Sequence, residues 1–180
     1  MIWGQNICLR VLTEQEIPKY VNRLNDPRTD IGQSFTFVSP QTFFAAYRQD
    51  NFLTADSGIL AIDCITAQKT IHHVGTGSWY VANRSLKNME IAVDIYDPQH
   101  DTVECRSQAV YALCDYLFSN HPLERLQTLV SPDEKHAQKA VCACGFKREG
   151  LLKSMFFARG EWRDLVLYSV LRKELRDALR

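Results

Sequence analysis

The sequence predicts one mixed α/β domain, and three observations predict it. Apolar residues switch between alternation and helical spacing along the chain, giving the order β-α-α-β-β-β-α-β-α-β-β. Strand alternates with helix in the second half, so at least one strand pair is parallel, with antiparallel hairpins around it. The chain has 180 residues, which fits a single domain at roughly 100–200 residues each.

Each element follows from local residues. "ICLRVLT" (residues 7–13) is a first strand. "TEQEIPKYVNRLNDP" is a helix: Thr13 and Glu16 have capping-box spacing, Pro18 sits early, and Ile17, Tyr20, Val21 and Leu24 form an apolar face. Pro27 closes it. "PQTFFAAYRQDNF" is a second short helix. The strands "SGILAIDCI", "HHVGTGSWYVA" and "MEIAVDIY" follow, the last two joined by a turn at "NRSLKN". Asp97-Pro98 ends the third of them. A loop then leads into a helix with Ala109, Val110, Leu113, Leu117 and Phe118 at helical spacing. "LERLQTLVS" is a strand, and "DEKHAQKAVCAC" is a helix stopped by Gly145. The end of the chain is a hairpin, two β-rich runs joined at "ARGEWRD".

The composition narrows the function. Lys+Arg and Asp+Glu are both 21, so no global field steers a polyanion to the chain. No aromatic-basic stripe marks a nucleic-acid face. No apolar run is long enough to span a bilayer, and "MIWGQNICLR" has no basic start followed by an apolar run. The six cysteines form no CxxC pair and have no zinc-finger spacing with histidine. They read as reduced thiols of a cytoplasmic protein, with no metal expected.

Three separated motifs resemble the GNAT superfamily of N-acyltransferases. "CGFKREGLLKS" (144–154) resembles its GF-x-x-E-G stretch. "GEWRDLVLYSVLRKE" (160–174) resembles the G-x-W-x-D-x-x-x-Y-x-x-L ending of the branch that acetylates ribosomal-protein N-termini. "ICLRVLTEQEIPKYVNRLNDP" resembles that branch's opening. The resemblance implies a single GNAT-like domain over residues 1–180: a central, mostly antiparallel sheet with one splayed parallel pair, flanked by helices. It also implies acyl transfer to a primary amine by direct attack in a ternary complex, with acetyl-CoA or another acyl-CoA as co-substrate.

In that family the loop before the third helix carries R/Q-x-x-G-x-G/A, and its amides hold the carrier's pyrophosphate at a helix N-terminus. Here "HDTVECRS" fills the loop, with Asp101 at the basic position and Thr102, Glu104 and Arg106 at the glycine positions. Asp101 and Glu104 would oppose a polyanion at short range, and Arg106 returns one positive charge. The family's Asn near the pantetheine falls on Glu134, and its general-acid Tyr falls on Val141. By this resemblance Thr102, Val103, Glu104, Arg106, Ser107 and Glu134 are the carrier-binding set. The backbone from Val93 to Ile95 is the donor set that polarises the acyl carbonyl. The donor is either acetyl-CoA held atypically or a different carrier, such as aminoacyl-tRNA or a carrier protein. The alternative is a catalytically inactive binding protein.

Glu90 and Asp94 share one face of "MEIAVDIY" with Ala92 and Tyr96, while Ile91, Val93 and Ile95 face the other way. The resemblance makes Glu90 the first general-base candidate and Asp94 the second. His73, beside His72, is a third proton acceptor with a suitable intrinsic pKa. Trp79 and Tyr80 are candidate pocket residues, and His100 flanks the donor loop. Cys105 starts the third helix, where a thiol can be activated. The acceptor is expected to be a small molecule or a peptide N-terminus, and the protein a monomer or homodimer.

Overall fold

The structure, a computed structural model, describes residues 1–26, 38–66, 69–83, 88–158 and 160–176. Pro27, most of the "NRSLKN" turn and Arg159 lie outside the described residues. Among those described, the strands are β1 (Ile2–Trp3), β2 (Ile7–Val11), β3 (Ser57–Ile65), β4 (Ile71–Asn83), β5 (Asn88–Ile95), β6 (Arg125–Val130), β7 (Lys147–Ala158) and β8 (Glu161–Leu171). The helices are α1 (Ile17–Leu24), α2 (Pro40–Asp50), α3 (Val103–Asn120) and α4 (Lys135–Ala143). The predicted order of elements is therefore present. The sequence reading omitted only β1, a two-residue strand that pairs with β2 through Ile2 and Trp3.

One sheet runs β1-β2-β3-β4-β5-β6-β8-β7. Among the described residues only β5 and β6 pair in parallel, and only through Met89–Leu126 and Glu90–Gln127. Beyond those two pairs β5 stays with β4 as far as Ile95, while β6 stays with β8 as far as Val130. The sheet thus forks just after Glu90.

Helices cover both faces of the sheet. Helix α3 covers one face, where Leu113, Leu117 and Leu126 are fully buried with Ile91 and Ile95. Each such side chain contributes about 1.5–3 kcal/mol of burial. The other face carries α1 and α2, which enclose Leu12, Ile17, Val21 and Ala61 together with Phe43 and Phe52. The α1 entry is the predicted capping box: Thr13 N–H donates to Glu16 Oε2 at 2.8 Å.

Gly145 ends α4 as its sequence suggested. It has φ +94, Gly145 N–H donates to Cys142 O at 3.0 Å, and Phe146 N–H donates to Val141 O at 3.1 Å. This is a Schellman motif, which closes the last helical carbonyls and starts β7. Phe146 then enters the core at 3% exposure. The "GF" pair is thus a helix stop followed by a core anchor.

Candidate active site

Glu90 stands at the fork. Tyr80 lies directly opposite it on β4, and Gln127 directly opposite on β6. Tyr80 Oη donates to Glu90 Oε1 at 2.5 Å, and Gln127 Nε2 donates to Glu90 Oε2 at 2.9 Å. Asn88 Nδ2 donates in turn to Gln127 Oε1 at 2.6 Å. Both carboxylate oxygens are therefore aimed, and the residue is only 9% exposed. Burial, and then the bond to Glu90, push the Tyr80 hydroxyl well above its ordinary pKa. Tyr80 consequently stays protonated at neutral pH and keeps its hydrogen on the Glu90 side.

A cleft of about 990 Å³ opens from the fork. Glu90, Tyr80, Val93, Asp94, Arg106 and Glu134 are among the residues that line it, with part of the β7–β8 hairpin as a further wall. Tyr96 N–H bonds Val74 O at 3.0 Å. By antiparallel alternation, the peptide groups of Val93 and Ile95 then point away from β4 and into the fork. The Arg106 contact confirms that direction, because Arg106 Nη1 donates to Val93 O at 3.2 Å.

At the start of α3 the chain satisfies much of its own polarity. Thr102 caps the helix by accepting from Cys105 N–H at 3.1 Å. Asp101 grips the Arg106 guanidinium through Nε and Nη2. Burial works against the Arg106 charge, but the bond to Asp101 outweighs it and raises the pKa. Glu104 does not face the cleft. It is exposed and leans along the helix, with Gln108 Nε2 at 3.4 Å from its Oε1.

The predicted residues are only partly gathered. Glu90, Asp94, Val93, Arg106 and Glu134 line one cleft. Asp94 is tied to α1, however, with Arg23 Nε at 3.2 Å and Nη2 at 3.3 Å. His73 lies outside the cleft lining, in a separate hollow of about 410 Å³ with Lys19, Arg23 and Tyr96. It meets Tyr96 Oη at Nε2 and Asp63 Oδ1 at 3.3 Å from Nδ1, so strand register directs it to the far end of β5. Thr102, Val103, Glu104 and Ser107 are not among the cleft's lining residues. Ser107 is 3% exposed: its hydroxyl donates to Glu104 O at 3.0 Å within α3, and its carbonyl accepts from Cys144 Sγ at 3.2 Å. Ile95 points its side chain into the core at 4% exposure.

The subsidiary candidates also find places. Trp79 is core, packed on Tyr116 at 5.8 Å between ring centroids. His100 bonds Asp97 at 2.9 Å and stacks on His72. Cys105 is no activated thiol: burial pushes it up to about 12. Sequence reasoning missed the Tyr80–Glu90–Gln127 grouping, although Glu90 and Tyr80 were each noticed. Their pairing depends on register across three strands, which no local pattern reveals. Among the described residues no cluster of three or more metal-ligating side chains occurs, and no helix is long and apolar enough to cross a membrane.

Known proteins of similar sequence and shape fit this geometry. No family model matches the chain. An uncharacterized N-acetyltransferase of Bacillus licheniformis is 25% identical over 169 residues, covering 94% of this chain and 88% of that protein. An uncharacterized N-acetyltransferase of Bacillus subtilis is 22% identical, covering 89% of this chain and 83% of that protein. The solved spermidine N-acetyltransferase of Vibrio cholerae, in complex with CoA and spermine, superposes with a TM-score of 0.76 at 19% identity, covering 98% of this chain and 100% of that one. A putative ribosomal-protein-serine acetyltransferase from Vibrio cholerae gives 0.67 at 21% identity, covering 94% of this chain and 96% of that one. In strand order and in its forked parallel pair the chain has the fold of these solved N-acetyltransferases, and it is similar in sequence to the two Bacillus N-acetyltransferases over most of its length.

Proposed function

We propose that the protein is an N-acyltransferase that moves an acyl group from an acyl-CoA to a primary amine bound in the β5–β6 cleft. One observation carries this reading: the sheet forks at a buried carboxylate whose two oxygens are held by Tyr80 and Gln127. Coenzyme A is preferred over aminoacyl-tRNA or a carrier protein as donor because a solved neighbour of the same fold is in complex with CoA.

The residues suit the chemistry. The amine nitrogen attacks the thioester carbonyl carbon while Glu90, directly or through a water, accepts its proton. The N–H groups of Val93 and Ile95 face the fork and are the donors for the developing oxyanion. When the carbon–sulfur bond breaks, the Tyr80 hydroxyl supplies a proton to the departing sulfur and recovers one from Glu90. Counted from the neutral amine, the net change is one proton moved from nitrogen to sulfur; an amine that arrives as its ammonium first gives its extra proton to water.

The grip on the carrier departs from the family pattern. Arg106 stands where a glycine would leave bare backbone, and its guanidinium reaches into the cleft. We assign it the contact to the carrier's diphosphate, by exchange of its bond to Asp101. Glu134 stands beside it at the head of α4 and narrows the same channel.

Thermal unfolding with acetyl-CoA tests donor binding. A hundredfold excess over Kd should add about 2.7 kcal/mol of stability. With an amine present, Glu90→Gln should lower kcat by roughly 10²–10⁴ while leaving the acetyl-CoA shift in place. Turnover unaffected by that change would remove Glu90 from the base role. Absence of any shift would favour the inactive binding protein.

A further inference from the structure

We propose that the acceptor is a small primary amine carrying an aromatic or bulky apolar group a few bonds from its nitrogen. This deepens the transfer reading above and rests on it. The cleft that has Glu90 at its fork is also lined by Met155, Phe157 and Trp162 from the β7–β8 hairpin. These three are 49%, 48% and 64% exposed. Large apolar side chains gathered at one cleft and left open to water mark a binding surface.

The hairpin is built to hold them there. Phe157 and Trp162 are cross-strand partners, and their rings meet edge to face at 5.5 Å. The β7–β8 register shifts between Leu152 and Phe156. Within that bulge Ser154 adopts φ +49, and its N–H is held by Asp164 Oδ1 at 2.8 Å. A bulge re-aims the side chains that follow it. A non-glycine residue in the left-handed region is costly unless its surroundings fix it.

Charge and size narrow the occupant. Glu90 is engaged by Tyr80 and Gln127, and Asp94 by Arg23. Arg106 and Arg163 line the same cleft, Arg106 paired to Asp101 and Arg163 to Glu161 at 3.8 Å. Asp133 and Glu134 lie at the α4 end, and Glu134 acts on Arg106. One ammonium therefore finds a carboxylate at the fork, and the apolar hairpin wall beyond it matches an aromatic group and not a second ammonium. About 990 Å³ must seat both the acyl end of the carrier and the acceptor, which favours a small molecule over a peptide.

Calorimetric titration of phenethylamine, spermine and a short peptide with a free N-terminus, each with and without coenzyme A, tests this. Phenethylamine should bind at least about tenfold more tightly than either competitor. Trp162→Ala, at a solvent-exposed position, should weaken phenethylamine about tenfold, the loss expected for one apolar contact. The acetyl-CoA thermal shift should be unchanged in that variant. Tighter spermine or peptide binding, no phenethylamine binding, or indifference to Trp162→Ala would overturn the proposal. If phenethylamine binds as expected but acetyl-CoA produces no thermal shift, the transfer reading fails while the amine pocket stands.

Discussion

Asp101 and Arg106 are joined at the mouth of α3, and the guanidinium also holds the Val93 carbonyl. An arginine so neutralised attracts an incoming diphosphate weakly, because Asp101 stands between them in charge. Asp101→Asn should therefore tighten acetyl-CoA binding by roughly three- to tenfold, about 0.6–1.4 kcal/mol. Arg106→Gln should weaken it by a comparable factor. Calorimetry on both variants checks the pair, and equal affinity in all three proteins would show that Arg106 has no part in the grip. Sequence alone set Asp101 and Glu104 opposite the carrier. Asp101 is spent on Arg106, and Glu104 turns along the helix toward Gln108. Side-chain direction at a helix start depends on which turn the capping residue selects. That is a matter of one residue's register, and Thr102 sets it here.

Elements were more legible than side chains. The run from Ser57 to Ile65 is short and rich in apolar residues, and β3 occupies just that span. The α4 stop was readable because a glycine after a helical pattern has one common use. At Gly145 a Cβ would lie 2.3 Å from Glu174 O, and φ is +94. Gly145→Ala should accordingly destabilise the fold by at least about 1–2 kcal/mol, the cost of the left-handed region for an L-residue. It should also loosen the C-terminal segment, since Arg176 N–H bonds Cys144 O at 3.1 Å. Urea unfolding of the variant measures this, and an unchanged midpoint would contradict it. The strand β1 was not legible, because two residues carry too little pattern to be told from a loop. The bulge at Ser154 was hidden for a different reason: its φ is imposed by Asp164 from the neighbouring strand.

At the scale of the molecule, the sheet's fork creates the site. Alternation and helical spacing along the chain predicted a parallel pair, and the resemblance to the GNAT superfamily implied that it splays. The extent of that pairing, just Met89–Leu126 and Glu90–Gln127, is a matter of strand register that no local pattern carries. It brings Glu90, Tyr80 and Gln127 from three strands to one point, while His73 goes to a separate hollow despite its suitable chemistry. The chain thus shares the fold of its solved neighbours, and the proposed carrier grip differs from theirs by resting on Arg106. A crystal structure of the protein with coenzyme A examines this most directly. The account predicts pantetheine between β5 and β6, with the diphosphate against the Arg106 guanidinium. A diphosphate seated on the main-chain amides of residues 101–107, with Arg106 still bound to Asp101, would contradict it.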